Sequence, residues 1–415
     1  MDWRFSVAYL RVMSFAVALD APPPRIAAGS GAFARVNLAL FLGGFSTFSL
    51  LYCVQPLMPE FVRTFGVSPA ESALALSLAT GFLAVAIMAA AAFSQAVGRR
   101  GLMFVSMALA AAMNLGAAMS STWPMLLVFR GLEGLVLGGV PAVAMAYVAE
   151  EIEPRDLAGA MGLYVAGTAF GGMMGRVGMG LLTEFAAWRE AMGVMGLLGL
   201  AAATAFFFLL PPSRHFERRP TTSLRPHLTA WAAHLADPSL LRLFCVGFVL
   251  TGVYVGMFSY LGFRLKAAPY GLGQGQISML FLVMALGMVS SSLTGRLGAR
   301  FGRRNAMLIG LGTMTIGAVI TLSSPLPLII AGVGLVTIGF FITHATASAA
   351  VGAVAKEAKG HASSLYLLFY YVGSSLIGLA DGWAWQGFGW AGVAALTVAL
   401  TVFGMASARP LRFKV

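Results

Sequence analysis

Twelve apolar stretches, each near the length that a lipid hydrocarbon core requires, recur between residues 37 and 408. They fall at about 37–58, 71–93, 102–120, 123–148, 157–182, 189–210, 241–263, 276–296, 305–323, 326–350, 362–381 and 388–408. About 20 predominantly apolar residues cross such a core as a helix, because every backbone N–H and C=O is then bonded within the segment. The reading is therefore an all-α membrane protein with twelve transmembrane helices. Composition excludes a soluble globule: 59% of the 415 residues are hydrophobic and 10% are charged, against about 25% charged in soluble chains. Disorder and a disulfide-stapled fold fail on the same grounds. Cys53 and Cys245 are separated by about 12 residues of helix, or about 18 Å in depth, beyond disulfide reach.

One long polar interval, residues 211–240, divides the chain into six spans and six. The expected organisation is an N-terminal extension (1–36), a six-helix bundle (37–210), a central linker (211–240), a second bundle (241–408) and a tail (409–415). Residues 1–34 hold Arg4, Arg11 and Arg25 around an apolar stretch broken by charge, unlike a signal peptide, whose charge precedes its apolar core.

The net charge of +12 would suit nucleic acid only if the basic residues made a soluble face. Instead they sit between spans. With both termini in the cytoplasm, 21 Lys and Arg fall on the cytoplasmic side, four (Arg63, Arg189, Arg264, Lys266) on the other, and Arg130 and Arg176 inside spans. That asymmetry predicts the orientation. Gly98-Arg99-Arg100 after the second span recurs as Gly302-Arg303-Arg304 after the eighth, 204 residues later. Two similar halves imply a pseudo-twofold axis along the membrane normal, with a cavity between them and alternating access by rocking.

At these residues the chain resembles the major facilitator superfamily, whose loop between spans two and three reads G-x-L-A-D-R-x-G-R-R. The corresponding stretches are residues 91–100 and 295–304, with Gln95 and Ala299 at the acidic position. The basic ends, Gly98, Arg99 and Arg100 and then Arg300, Gly302, Arg303 and Arg304, match the family's gating loop. Leu126-x-x-x-Arg130-x-x-Glu133-Gly134 is similar to the family's arginine motif in span four, which the resemblance links to proton-coupled movement. Gly167-Thr-Ala-Phe-Gly171-Gly172 resembles the antiporter motif G-P-x-x-G-G, with Thr168 in place of proline. Finer matches, among them Pro141 to Tyr147, Gly339 to His344 and Tyr370 to Ser374, resemble the YnfM-type branch of bacterial inner-membrane permeases, grouped with drug and sugar efflux carriers.

The residues themselves supply candidates. A charge at mid-bilayer is costly, so Arg130, Glu133 and Arg176 need partners or a watered cavity. Arg130 and Glu133 share a helix face at i, i+3, and depth counting along spans four and five puts Arg176 within about 5 Å of their level. The expectation is a buried Arg-Glu-Arg cluster in the outer half of the first bundle, with Glu133 as proton-carrying acid or as one end of an ion-paired strut. Gly167, Gly171 and Gly175 form an i, i+4, i+8 stripe suited to close helix packing. His344, near Thr343 and Thr346, is either a proton shuttle or a hydrogen-bonded structural histidine. Tyr254, Phe258, Tyr366, Tyr370, Ser374 and Ser375 are the cavity-lining candidates. Asp381, Trp383, Trp385 and Trp390 are expected at the outer interface. The acidic run Glu150 to Asp156 reads as a solvated turn, with a salt bridge to Arg99 or Arg100 as the alternative.

No P-loop, nucleophile–base pair or metal-ligand spacing is present. The expectation is accordingly not an enzyme and no cofactor. It is a monomeric secondary transporter in the bacterial inner membrane, handling a small organic solute together with protons. Proton-driven efflux is the first reading, and uptake of a sugar or organic anion the alternative.

Overall fold

The computed structural model describes residues 25–93, 98–216 and 224–413, where regular structure is helical apart from a single bridge between Ile26 and Ile152. Among the described residues ten helices are long and apolar enough to cross a membrane. The first six are α1 (Gly31–Phe65), α2 (Pro69–Ala90), α3 (Arg99–Ala118), α4 (Trp123–Glu151), α5 (Leu157–Leu182) and α6 (Trp188–Leu209). After the linker come α7 (Pro238–Lys266) and α8 (Gln274–Ser291). The helix that α8 enters leaves helical geometry at Gly302 (φ 79°, ψ 154°), and residues 303–320 beyond it are α9. Leu326–Val354 is α10. Gly389 (φ 59°, ψ −146°) divides Lys359–Ala408 into α11 (359–388) and α12 (390–408). Only glycine takes such positive φ without steric cost, and the arms on either side of these two glycines complete the twelve spans.

The chain reverses at Gly389. Tyr366 packs on Gly247 and Ile377 on Gly252 as α11 ascends beside α7, and by Gly404 the chain has returned to the level of Val249.

Polar side chains fix where helices start. Ser30 accepts the Phe33 N–H at α1, Thr122 the Met125 N–H at α4, and Asp237 the N–H groups of Ser239 and Leu240 at α7. At α2, Ser68 and Glu71 make a reciprocal capping box. These caps lie outside the apolar stretches, so α1 starts at Gly31 rather than at 37, and α7 at Pro238 rather than at 241.

The flanking segments are also docked. The Ile26 N–H donates to Glu151 O (2.8 Å), and the Ala28 N–H to the Asp156 carboxylate (2.7 Å). The central interval carries a helix, Arg225–Ala236. Before it, Glu151 accepts the N–H groups of Arg214 (2.6 Å) and His215 (2.8 Å). Residues 1–24 and Gln95 lie outside the described residues.

Two apolar cores result. One runs continuously from Leu50, Phe61 and Leu83 in the first half to Phe244, Tyr260 and Phe281 in the second, joining the halves. The other, around Leu40, Met107, Tyr147 and Phe206, belongs to the first half alone, at the end carrying Arg99 and Arg100. The two cysteines are free.

Candidate functional site

The break in α1 sets the first part of the site. Helix gives way to turn at Cys53, followed by one turn of 3-10 helix, Gln55–Leu57. The α-helical bonding pattern is interrupted at this turn, which opens carbonyls of the preceding turn to side-chain donors. Arg130 takes two of them: its Nη1 donates to Leu50 O (3.3 Å), and its Nη2 to Leu51 O (2.7 Å). Its Nε donates to Ala75 O on α2 (3.0 Å), and Nη1 also meets Glu133 Oε2 at 2.5 Å. Both side chains are fully buried. The guanidinium is thus held by three carbonyls besides its carboxylate, while Glu133 Oε1 has no partner.

Arg176 does not join this pair, and the expected three-membered cluster is divided. Its Nε donates to Gln55 Oε1 (2.5 Å), its Nη1 to Gly172 O (2.5 Å), and its guanidinium lies 3.8 Å from the Tyr52 ring centre. The azimuth explains the division, because α5 presents Arg176 to the cavity between the halves. Gln55 is the residue that sequence reasoning missed. Its Nε2 donates to Val255 O and to Ser259 Oγ on α7, both at 2.9 Å, so one amide ties Arg176 to the opposite half. A polar residue before a proline within an apolar span was the available signal.

Arg176 faces a cavity of about 150 Å³ between the halves, lined from the first by Tyr52, Thr168 and Arg176 and from the second by Tyr254, His344 and Tyr370. Organic-ligand sites usually measure about 300–1,000 Å³, so this one must widen to take a solute. A larger groove of about 410 Å³ is lined by Phe45, Met174 and Leu198. It draws on the first half alone and is nearly devoid of polar groups. His344 Nδ1 lies 3.0 Å from the Tyr366 hydroxyl, and its ring stacks on Phe340.

Of the six cavity-lining candidates, Tyr254 and Tyr370 line this space. Tyr366 stands behind His344. Phe258 packs between Tyr254 and Phe281, and Ser374 is buried. Ser375 bonds across the halves, 2.8 Å from Thr80 Oγ1 and 2.7 Å from Ser77 O. Gly167, Gly171 and Gly175 lie against the backbone of Phe41, Phe45 and Ser49, where a Cβ would meet main-chain atoms. Asp381 and Trp390, expected at the lipid interface, are instead 1% and 8% exposed. α11 continues to Gly389 before it turns, which leaves Asp381 inside the bundle; Trp383 does face outward.

The bonds joining the halves concentrate at one end. Lys266 pairs with Glu60 at 2.7 Å, the Gly275 N–H donates to Glu184 Oε1 at 2.5 Å, and Gln274 donates to Pro56 O. At the other end, two bonds among the described residues run within the first half. Arg99, 5% exposed, pairs with Glu150 at 2.6 Å, and Arg100 donates to Phe207 O at 2.5 Å. The acidic run is thus partly built into the fold, with Glu151 buried, rather than a solvated turn. In the second copy of the loop, Arg300, Gly302, Arg303 and Arg304 are all exposed.

With this geometry in place, comparison with known proteins is informative. The family model described as Major Facilitator Superfamily matches residues 40–378 and 266–413. The chain is 43% identical over 365 residues to the uncharacterized MFS-type transporter YybF of Bacillus subtilis, covering 88% of this chain and 90% of that protein. It is 42% identical over 389 residues to the inner membrane transport protein YnfM of Escherichia coli, covering 93% of each. Among solved structures, the nucleoside transporter NupG superposes with a TM-score of 0.73 at 15% identity, covering 90% of this chain and 99% of that one. A bacterial homologue of the human lysosomal transporter Spinster superposes with a TM-score of 0.71 at 16% identity, covering 92% and 96%. These two likenesses speak for the fold.

Proposed function

This chain belongs to the major facilitator superfamily, and from that premise we propose that it is a proton-coupled exporter of a small organic anion. A multi-pass membrane transporter of this family carries its solute by secondary transport. The solute class, the coupling and the direction are our reading.

The observation that carries the solute class is Arg176. It is a buried guanidinium at the wall of a cavity to which both halves contribute polar side chains, and its polar partners among the described residues are a neutral amide, a carbonyl and a thioether. A buried cation without a carboxylate is poised for an anionic ligand. The surrounding Tyr52, Tyr254, Phe340 and Tyr370 suit an apolar or aromatic body. The bonds between the halves lie at the end of Glu60 and Lys266, which the positive-inside pattern assigns to the outside. This conformer is thus read as closed outward, with both termini and the gating loops in the cytoplasm.

Glu133 is proposed as the proton-carrying acid. Arg130 keeps its three carbonyls in either protonation state, so proton gain or loss acts on the carboxylate alone. Export follows the resemblance to efflux carriers.

Flux of radiolabelled organic acids, sugars and cationic drugs into everted membrane vesicles, with and without an uncoupler, tests the reading. Uncoupler-sensitive accumulation of an organic acid is the expected result. Accumulation only in right-side-out vesicles would reverse the direction, and a preference for cations would overturn the role of Arg176.

A further inference from the structure

Asp381 on α11 is 1% exposed, and neither of its carboxylate oxygens has a hydrogen-bond partner. It occupies a slot that glycine makes. A Cβ on Gly256 of α7 would collide with the Asp381 carboxyl, so only glycine there leaves room for it. Two elements, α7 and the start of α2, bring polar groups toward it. From α7 comes Tyr260, whose hydroxyl donates to Gly378 O (3.2 Å), with Pro69 O of the first half at 3.5 Å. Further along α7, Arg264 is engaged by Thr321 O and Ser323 O, and Lys266 by Glu60. From the start of α2, Ala70 lies against Gly382, and the neighbouring Glu71 is exposed and caps the Ser68 N–H. Among these, no cation reaches Asp381. A charged carboxylate there would lack both water and counter-ion, the most expensive way to bury an acid.

The slot lies directly beneath a joint between the halves. Gly382 against Ala70, and Tyr260 against Pro69, join α11 and α7 of the second half to the start of α2 in the first. Rocking that separates the Glu60–Lys266 end must part these contacts and admit water beside Asp381.

We propose that Asp381 is a second proton-binding acid, and that its neutral, proton-loaded form is what closes this end of the transporter. On opening, the carboxyl gives its proton to water entering from that end and is left as a solvated carboxylate. Taking a proton back from that side removes the charge and permits the joint to re-form. The link to transport rests on the proton-coupled reading above; the closure itself is tested apart from it.

The test needs no substrate. Nitroxide labels at Phe185→Cys and Phe388→Cys, both exposed at this end and on opposite halves, report its opening by electron–electron distance measurement in nanodiscs, in a Cys245→Ala background. The wild-type distance is expected to be short at acidic pH and to gain a longer population as pH rises. Asp381→Asn should hold the short distance at every pH, and Asp381→Glu should restore the shift. Infrared difference spectra should lose a protonated-carboxyl C=O band in Asp381→Asn. An Asp381→Asn protein that opens with pH as the wild type does, a wild type that never opens with pH, or spectra lacking that band would each overturn the proposal. Wild-type flux indifferent to an uncoupler would overturn the proton-coupled transport reading instead, and leaves the distance measurement to judge Asp381.

Discussion

The seam between α1 and α5 in the first half and the seam between α7 and α11 in the second are two versions of one helix pairing. Along the first, Gly167, Gly171 and Gly175 meet Phe41, Phe45 and Ser49. Along the second, Gly373, Ile377 and Asp381 meet Phe248, Gly252 and Gly256. Each run advances by four residues, one helical turn, on both partners, so the two halves share register as well as topology. They differ in which helix supplies the small residue. In the first half all three glycines sit on α5, and backbone lies on backbone. In the second, two of the three contacts move the glycine onto α7, which frees α11 to carry Ile377 and a carboxylate. The same close approach thus yields a dry zipper in one half and a zipper with a slot for an acid in the other. Charge follows the same displacement: Arg176, next to Gly175, faces the shared cavity, while Asp381 stays inside its own half.

The largest effects should come from forcing side chains into the two seams. Gly171→Leu drives a side chain into the Phe45 main chain, which cannot step aside, and we expect loss of monodisperse protein on size exclusion. Gly256→Ala meets a side chain instead. Its cost should be about 1–3 kcal/mol, the usual range for overpacking, read as a lowered melting temperature in detergent. Adding Asp381→Ala should relieve most of it. Additive losses in that double variant would mean that the carboxyl does not occupy the slot, and would break the comparison.

Next in size is the cation. Arg176→Ala should abolish the thermal shift given by an organic acid and Arg176→Lys should keep a fraction of it, since lysine restores the charge without the planar stacking on Tyr52. Unaltered anion response in Arg176→Ala would place the solute elsewhere.

Much of this architecture was legible beforehand because lipid imposes a coarse rule: span length, basic clusters and the repeat of Gly98-Arg99-Arg100 are one-dimensional signals. Depth along a helix can be counted from the same signals, which is why Arg130 and Arg176 were expected at one level. Rotation about the helix axis cannot. Arg176 turns to Gln55 rather than to Glu133, and Asp381 turns inward rather than to the interface, because neighbours brought in from the other half or from a parallel helix decide azimuth. Gln55 shows the limit best, since its importance lies in touching residues 121 and about 200 positions away.

Glu133→Gln compares the two buried acids. Glutamine keeps an acceptor for Arg130, and the three carbonyls remain, so the fold should survive. Gradient-driven accumulation should disappear while counterflow exchange persists. Retained driven transport would reduce the Arg130–Glu133 pair to a strut and leave Asp381 as the remaining acid in this comparison.

The smallest effect is expected where the repeat differs at the basic loops. Arg99 is bonded to Glu150 in the first half, whereas Arg303 and Arg304 in the second are exposed. Glu150 is 27% exposed, so screening limits the pair to below about 1 kcal/mol. Glu150→Gln should lower the melting temperature slightly at low ionic strength and less at high salt, because exposed charges beyond a Debye length of about 10 Å at 0.1 M are screened. Arg303→Ala should leave it unchanged at either salt. A large, salt-independent loss in Glu150→Gln would mean that the first loop is a locked joint of its half, a role that the second loop cannot share, and the halves would then differ in stiffness at this end as well as in their seams.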